Sequence, residues 1–256
     1  MPTTLSFAAD TGITIYAAAY QNADTLRETS LPAAVMVGDR EQAVSWAFRS
    51  SKFAVPYETV EITGTVANGD TVTAKVEVLP DAANPLVYFV DAGRDGEESK
   101  AYEAVKTLSS DTLKNAVADQ VYDAGSGWGK SSSNFSLKSV GSLDATDKYQ
   151  TGYYSNNKTS SLEYTLYLEA GTYTLEAGFY EWWNNRSMKI NVSGDQTDSV
   201  TSEAAAVSSI GSRDKERVTF TVREDSNVTM KIQNATGGEA PVISWFAVAK
   251  GTLVSP

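Results

Sequence analysis

The chain contains no histidine and no cysteine. Without histidine, Ser-His-Asp and Cys-His nucleophiles and His-ligated metals are excluded. Without cysteine, thiol chemistry, zinc-thiolate sites, iron–sulfur clusters and disulfides are excluded as well. A cysteine-free chain suits a secreted bacterial protein as well as a cytosolic one, so this absence leaves the compartment open. Basic residues are scarce: 21 Lys+Arg stand against 32 Asp+Glu, for a formal net charge of −11. Phosphate contacts need clustered Lys and Arg, so nucleic acid is not an expected partner. An anionic membrane surface repels such a chain. No run reaches the ~20 apolar residues that cross a bilayer, so no membrane insertion is expected. No signal peptide is visible, and Met1-Pro2 followed at once by strand-like sequence reads as the cut end of a larger protein.

What is present is a chain of 256 residues, 41% of them hydrophobic. That is enough apolar material for a sizeable core and enough length for about two domains. Most segments alternate with period two and are rich in Val, Thr, Ile and Tyr, which marks strands. Turn signals such as Asn68-Gly69-Asp70, Glu169-Ala170-Gly171, Ser193-Gly194-Asp195 and Thr236-Gly237-Gly238 punctuate them. Many short strands with frequent turns predict an all-β protein built of β-sandwiches. The stretch from Pro80 to Pro85 is a natural boundary, giving domains at 1–80 and 85–251. One helix is predicted near Ser99–Leu108, from Ala101, Ala104, Val105 and Leu108 at helical spacing, and a second, weaker one around Asp111–Val117. A hairpin is predicted from 59–66 and 71–78 about Asn68-Gly69. Trp46 and Phe48 share a strand face and are expected in the core, as is Trp245.

The informative cluster is Phe179-Tyr180-Glu181-Trp182-Trp183-Asn184-Asn185-Arg186. Adjacent residues on a strand point to opposite faces, so one indole is expected inside and the other outside. The alternation puts Glu181 and Trp183 on the face of Phe179, and a loop is expected at Asn184-Asn185. An exposed indole beside Asn184, Asn185 and Arg186 suits a sugar, whose apolar face stacks on the ring while amides and a guanidinium bond its hydroxyls. Tyr153 and Tyr154 sit in a second stretch where aromatics alternate with amides, and Gly152 leaves the backbone free. Asn234 and Glu239 belong to a third, the loop before the last strand. Packing of these aromatics in the core or between strands is the alternative. The loop Asp91–Glu98 is oxygen-rich, but it lacks EF-hand spacing and contains Arg94. A solvated acidic loop is expected there, with structural calcium as the alternative. No other cofactor is expected, and of Asp91, Asp95, Glu97, Glu98, Asp144, Asp147, Glu181 and Glu239 most are expected to be solvated surface charge.

Leu31–Val35, Val44–Trp46, Phe53–Pro56, Val60–Thr65 and Val76–Val78 together resemble the group-4 bacterial immunoglobulin-like domains. That resemblance implies an immunoglobulin-like sandwich acting as a spacer. From Leu86 on, the chain resembles the malectin-like (galactose-binding-like) carbohydrate-binding sandwiches, a jelly roll. The resemblance rests on Leu86–Gly93, Tyr149–Tyr153, Leu162–Leu166, Gly171–Glu181 with its Phe-x-Glu pattern, and Glu239-Ala240-Pro241. It implies that Tyr153, Trp183 and Glu239 bind sugar, with Asn184 where the family has a second aromatic and Tyr154 one residue out of register. A spacer followed by a sugar binder resembles the appended modules of large secreted bacterial glycoside hydrolases. This implies a monomeric, non-catalytic module at the cell surface or outside the cell, which binds terminal sugars of galactose or arabinose type and targets its enzyme to glycan. A structural or adhesin tandem with a protein partner is the alternative. An autonomous two-carboxylate glycosidase is a third.

Overall fold

The computed structural model describes residues 9–19, 21, 23–236 and 239–253. The protein is all-β: eighteen strands and two short helices among these residues, in two compact units that divide between Ala83 and Asn84. No helix is long and apolar enough to cross a membrane among the described residues.

The first unit contains β1 (Ala9–Ala18), α1 (Ala23–Thr29), β2 (Ala34–Val37), β3 (Arg40–Ala47), a single 3-10 turn (Ser50–Lys52), β4 (Thr59–Val66) and β5 (Thr71–Leu79). The strands run in the order β1-β5-β4-β3-β2, with β1 parallel to β5 and the other pairs antiparallel. Midway along, β3 changes partner: Arg40–Ala43 pair with β2, and Val44–Ala47 pair with β4. The sheet therefore curls, and Val35 of β2 shares one core with Ala17 of β1, Trp46, Ile62 and Val76, under Leu26 of α1. The hairpin β4–β5 forms as its alternation predicts, with Gly69 at φ +88° in the turn. Trp46 is buried, whereas Phe48, just past the end of β3, is half-buried against that core.

The second unit contains β6 (Leu86–Asp91), α2 (Lys100–Ser109), β7 (Trp128–Lys130), β8 (Phe135–Ser139), β9 (Thr151–Ser155), β10 (Leu162–Leu168), β11 (Gly171–Tyr180) and β12 (Asn184–Gly194). It continues with β13 (Thr197–Thr201), β14 (Ala205–Ser209), β15 (Arg213–Val222), β16 (Ser226–Asn234), β17 (Val242–Ile243) and β18 (Trp245–Lys250). One sheet runs β13-β12-β16-β10-β7, with β14 also paired to β12; another runs β15-β11-β18-β6; a small third one runs β17-β9-β8. Inward residues from both large sheets form one core: Leu162, Tyr164 and Leu166 of β10 and Ile190 of β12 share it with Leu175 of β11 and Phe246 of β18. This alternation across two faces is what makes a sandwich. The outer face of β11 is buried too. There Glu176 pairs with Lys215 and Arg217, and the Thr174 hydroxyl bonds the Gly251 carbonyl. Entry and exit of the unit are tied together: β6 lies beside β18, and the Asn84 side chain donates to the Lys250 carbonyl at 2.9 Å.

The predicted helix near 99–108 is α2. The Ser99 hydroxyl caps it, accepting from the Tyr102 N–H at 3.1 Å. Its buried stripe is Ala101, Tyr102 and Val105, while Leu108 faces solvent. Residues 111–117 form no helix; they run as a turn and an extended segment. Asn115 there bonds the Phe89 main chain through both amide atoms, so a side chain of β6's neighbourhood replaces helical bonding.

Candidate functional site

Strand β11 ends at Tyr180, and β12 begins at Asn184. The turn between them is therefore Glu181-Trp182-Trp183, not Asn184-Asn185 as the sequence suggests. Strict alternation fails inside the turn, so both indoles are half-buried rather than one in and one out. They pack edge to face at 6.4 Å. Glu181 has no exposed surface. It accepts the Trp183 N–H at 2.8 Å and pairs with Arg186, and its main chain is held by Ser212 and Gly211. A buried carboxylate with a guanidinium partner thus fixes the turn that carries both indoles.

The two indoles have different neighbours. Trp182 lies on the main chain of β9, where a Cβ on Gly152 would come 2.5 Å from its Cη2. Gly152 is what lets this ring approach. Trp183 meets Tyr154 edge to face at 5.0 Å. The Arg186 guanidinium lies 4.7 Å and the Lys138 ammonium 4.9 Å from its ring centre. Lys138 on β8 carried no sequence signal, because β8 comes beside this turn only through pairing with β9.

Four of the sequence-derived residues are engaged in contacts within the fold. Tyr153 is buried and donates to Asp95 at 2.9 Å. It points inward because it alternates with Tyr154 on β9, and Tyr154 takes the outward position. Trp182 is committed to Gly152. Arg186 is buried; besides Glu181 it donates to the Ala240 carbonyl at 2.9 Å and the Asn184 carbonyl at 3.3 Å, so it serves as a strut. Asn234 bonds the Glu239 carbonyl and accepts from the Thr236 N–H at 2.8 Å, closing its own loop. The remaining residues are at least partly exposed. Asn184 and Asn185 are exposed, Asn185 at φ +25°. Glu239 pairs with Lys158 at 3.2 Å across two loops, with both side chains partly exposed.

Three of the eight acidic residues, most of which are expected at the surface, lie inside. Asp91, Asp147 and Glu181 are buried. Asp91 accepts from the Ser99 hydroxyl, and burial pushes its carboxyl up to about 7, against the opposing pull of Ser99 and Arg94. Asp147 pairs with Arg213 at 2.9 Å. Asp95 pairs with Lys130, and Arg94 reaches Gln150. The loop 91–98 is thus cross-braced to β7 and to the loop before β9, not simply solvated.

No family model and no curated protein matches the sequence. Solved structures do match it. A Bacteroides uniformis β-glucuronidase is 14% identical, covering 76% of this chain and 22% of its own length, at a TM-score of 0.41. A Bacillus subtilis protein is 15% identical, covering 64% of this chain and 40% of its own length, at 0.42. A family 35 carbohydrate-binding module from Clostridium thermocellum is 18% identical, covering 45% of this chain and 87% of its own length, at 0.31. The chain thus spans less than half of the first two proteins.

Proposed function

We propose that the second unit is a non-catalytic carbohydrate-binding module of malectin-like type, and that it takes a terminal sugar at the rim formed by Trp183, Tyr154, Asn184, Asn185 and Glu239. The observation that carries this reading is the half-buried Trp183–Tyr154 pair, fixed from below by Glu181 and Arg186 and flanked by exposed amides. A rigid aromatic surface beside hydrogen-bonding groups matches a pyranose or furanose, which has one apolar face and an equator of hydroxyls. A stacking sugar displaces the flexible Lys138 side chain, whose ammonium then serves as a donor to hydroxyls. Glu181, the carboxylate next to the aromatic pair, is spent on Arg186, which favours binding over hydrolysis. In this reading the first unit is an immunoglobulin-like spacer, and the tandem is a secreted or surface-exposed monomeric part of a larger glycoside hydrolase. Tethering there raises the enzyme's effective concentration at its polymer. Galactose- and arabinose-type termini are the first ligands to try.

The test is a glycan array followed by calorimetry, with Trp183→Ala in parallel. The expected outcome is a sugar-dependent signal, with a dissociation constant of roughly micromolar to millimolar because one sugar buries little area. Trp183→Ala is expected to weaken it at least tenfold while leaving the fold intact. Absence of binding across plant, host and bacterial glycans, or unchanged binding in the variant, refutes the assignment and leaves a structural or adhesin tandem.

A further inference from the structure

Residues 1–83 contain ten Asp+Glu and five Lys+Arg. Three of those five bases, Arg27, Arg49 and Lys52, nevertheless line one open cleft of about 650 Å³ in the first unit, together with Trp46, Phe48 and Ser51. The cleft lies where the last turn of α1, the end of β3 and the 3-10 turn come together. Its parts are preset. The Arg27 guanidinium lies 5.1 Å from the Phe48 ring centre, donates to the Phe48 carbonyl at 3.3 Å and pairs with the exposed Asp24. Trp46 is fixed by its indole N–H on the Pro32 carbonyl at 2.9 Å, and Phe48 packs edge to face on Phe53 at 5.4 Å. Arg49 and Lys52 are both exposed. Among the described residues neither makes an ion pair, and Lys52 only reaches the Glu61 carbonyl at 3.4 Å.

We infer that this cleft of the first unit is a second binding site, for an acidic saccharide whose carboxylate or sulfate is held by Arg49 and Lys52. The charge follows from two unpaired cations concentrated in a concave place on an otherwise acidic chain, where the field is focused. A guanidinium offers carboxylate and sulfate two parallel donors. The size favours a ring-bearing anion over an inorganic one, because the volume falls in the range of small-molecule pockets. The half-buried Phe48 supplies apolar wall and the exposed Ser51 hydroxyl supplies a polar one, as one or two sugar rings require. This inference does not rest on the role proposed for the second unit.

The whole chain is titrated at low salt with tri-galacturonate, with a fully sulfated heparin-type disaccharide, with neutral xylotriose and with a short poly-glutamate peptide. Wild type, Arg49→Gln/Lys52→Gln and Trp183→Ala are compared by calorimetry and by amide chemical shifts. The expected result is that at least one of the two acidic saccharides binds: binding of tri-galacturonate assigns a carboxylate, and binding of the heparin-type disaccharide, which carries a carboxylate besides its sulfates, without binding of tri-galacturonate assigns a sulfate. The affinity of the saccharide that binds falls at least tenfold in the double variant and in high salt, and it is unchanged in Trp183→Ala. The substituted side chains are exposed, so an unaltered thermal midpoint is expected. Four results overturn the site: no binding of either acidic saccharide at millimolar concentration, equal binding by the peptide, unchanged binding in the double variant, or loss only in Trp183→Ala. The last result places the anion on the second unit and leaves that unit's proposed role standing.

Discussion

Glu181 and Arg186 form an ion pair with almost no water around it: the carboxylate has no exposed surface and the guanidinium very little. Removing one partner of such a pair leaves an uncompensated charge in a place of low polarisability. Glu181→Ala is expected to cost about 3–5 kcal/mol in urea unfolding, far more than Lys158→Ala, whose pair with Glu239 is partly exposed and contributes roughly 1 kcal/mol at most. Asp91 gives a pH signature of the opposite sense to an ordinary paired carboxylate. Folded, it keeps its proton to about 7; unfolded, it releases it near about 4. Between those values the folded state binds more protons, so its contribution is present below pH 4 and is lost as pH rises through 7. Asp119, also buried and raised to about 7, acts in the same direction. The urea midpoint is therefore expected to fall between pH 5 and pH 8, and Asp91→Asn is expected to flatten that fall. A flat profile in the wild type contradicts the assignment. Which acids go inside was not legible in the sequence, because Asp91, Asp147 and Glu181 find Ser99, Arg213 and Arg186 at separations that only the fold decides.

Among elements, β9 does most to shape the candidate rim. Its strict alternation sends Tyr153 in toward Asp95 and Tyr154 out toward Trp183. At Gly152 it has room for one indole and no more. A Cβ at that position overlaps the Ile243 carbonyl as well as Trp182, and neither the backbone of β17 nor a packed ring can give way cheaply. Gly152→Ala is expected to lower stability by about 1–3 kcal/mol through overpacking. It is also expected to red-shift the tryptophan emission as Trp182 is pushed toward water. An unchanged spectrum would mean that Trp182 does not rest on this strand. Strands with a clean period, such as β4, β10 and β16, were readable from the chain because each has one wet and one dry face. The turn at 181–183 was not. Its three residues continue the β-like composition of β11, and the turn is braced by the Glu181–Arg186 pair, a contact five residues apart that pattern alone does not show.

For the molecule as a whole, each unit closes a core of its own. The curled path of the first unit was not legible in the sequence, because it depends on β3 changing partner at Val44, and nothing in that strand's composition marks the change. The second unit has a polarity that follows from its register. Leu86 and Lys250 lie at one end of their sheet, where the chain comes in and goes out side by side. Trp245 pairs with Gly178 at the other end, close to the turn that bears Trp183. The ten residues of β11 separate these poles by about 30 Å. A unit whose two ends meet at the pole away from its rim behaves as a portable cartridge. It can be spliced into a host chain at a single point, or duplicated, without threading either flank past the candidate rim.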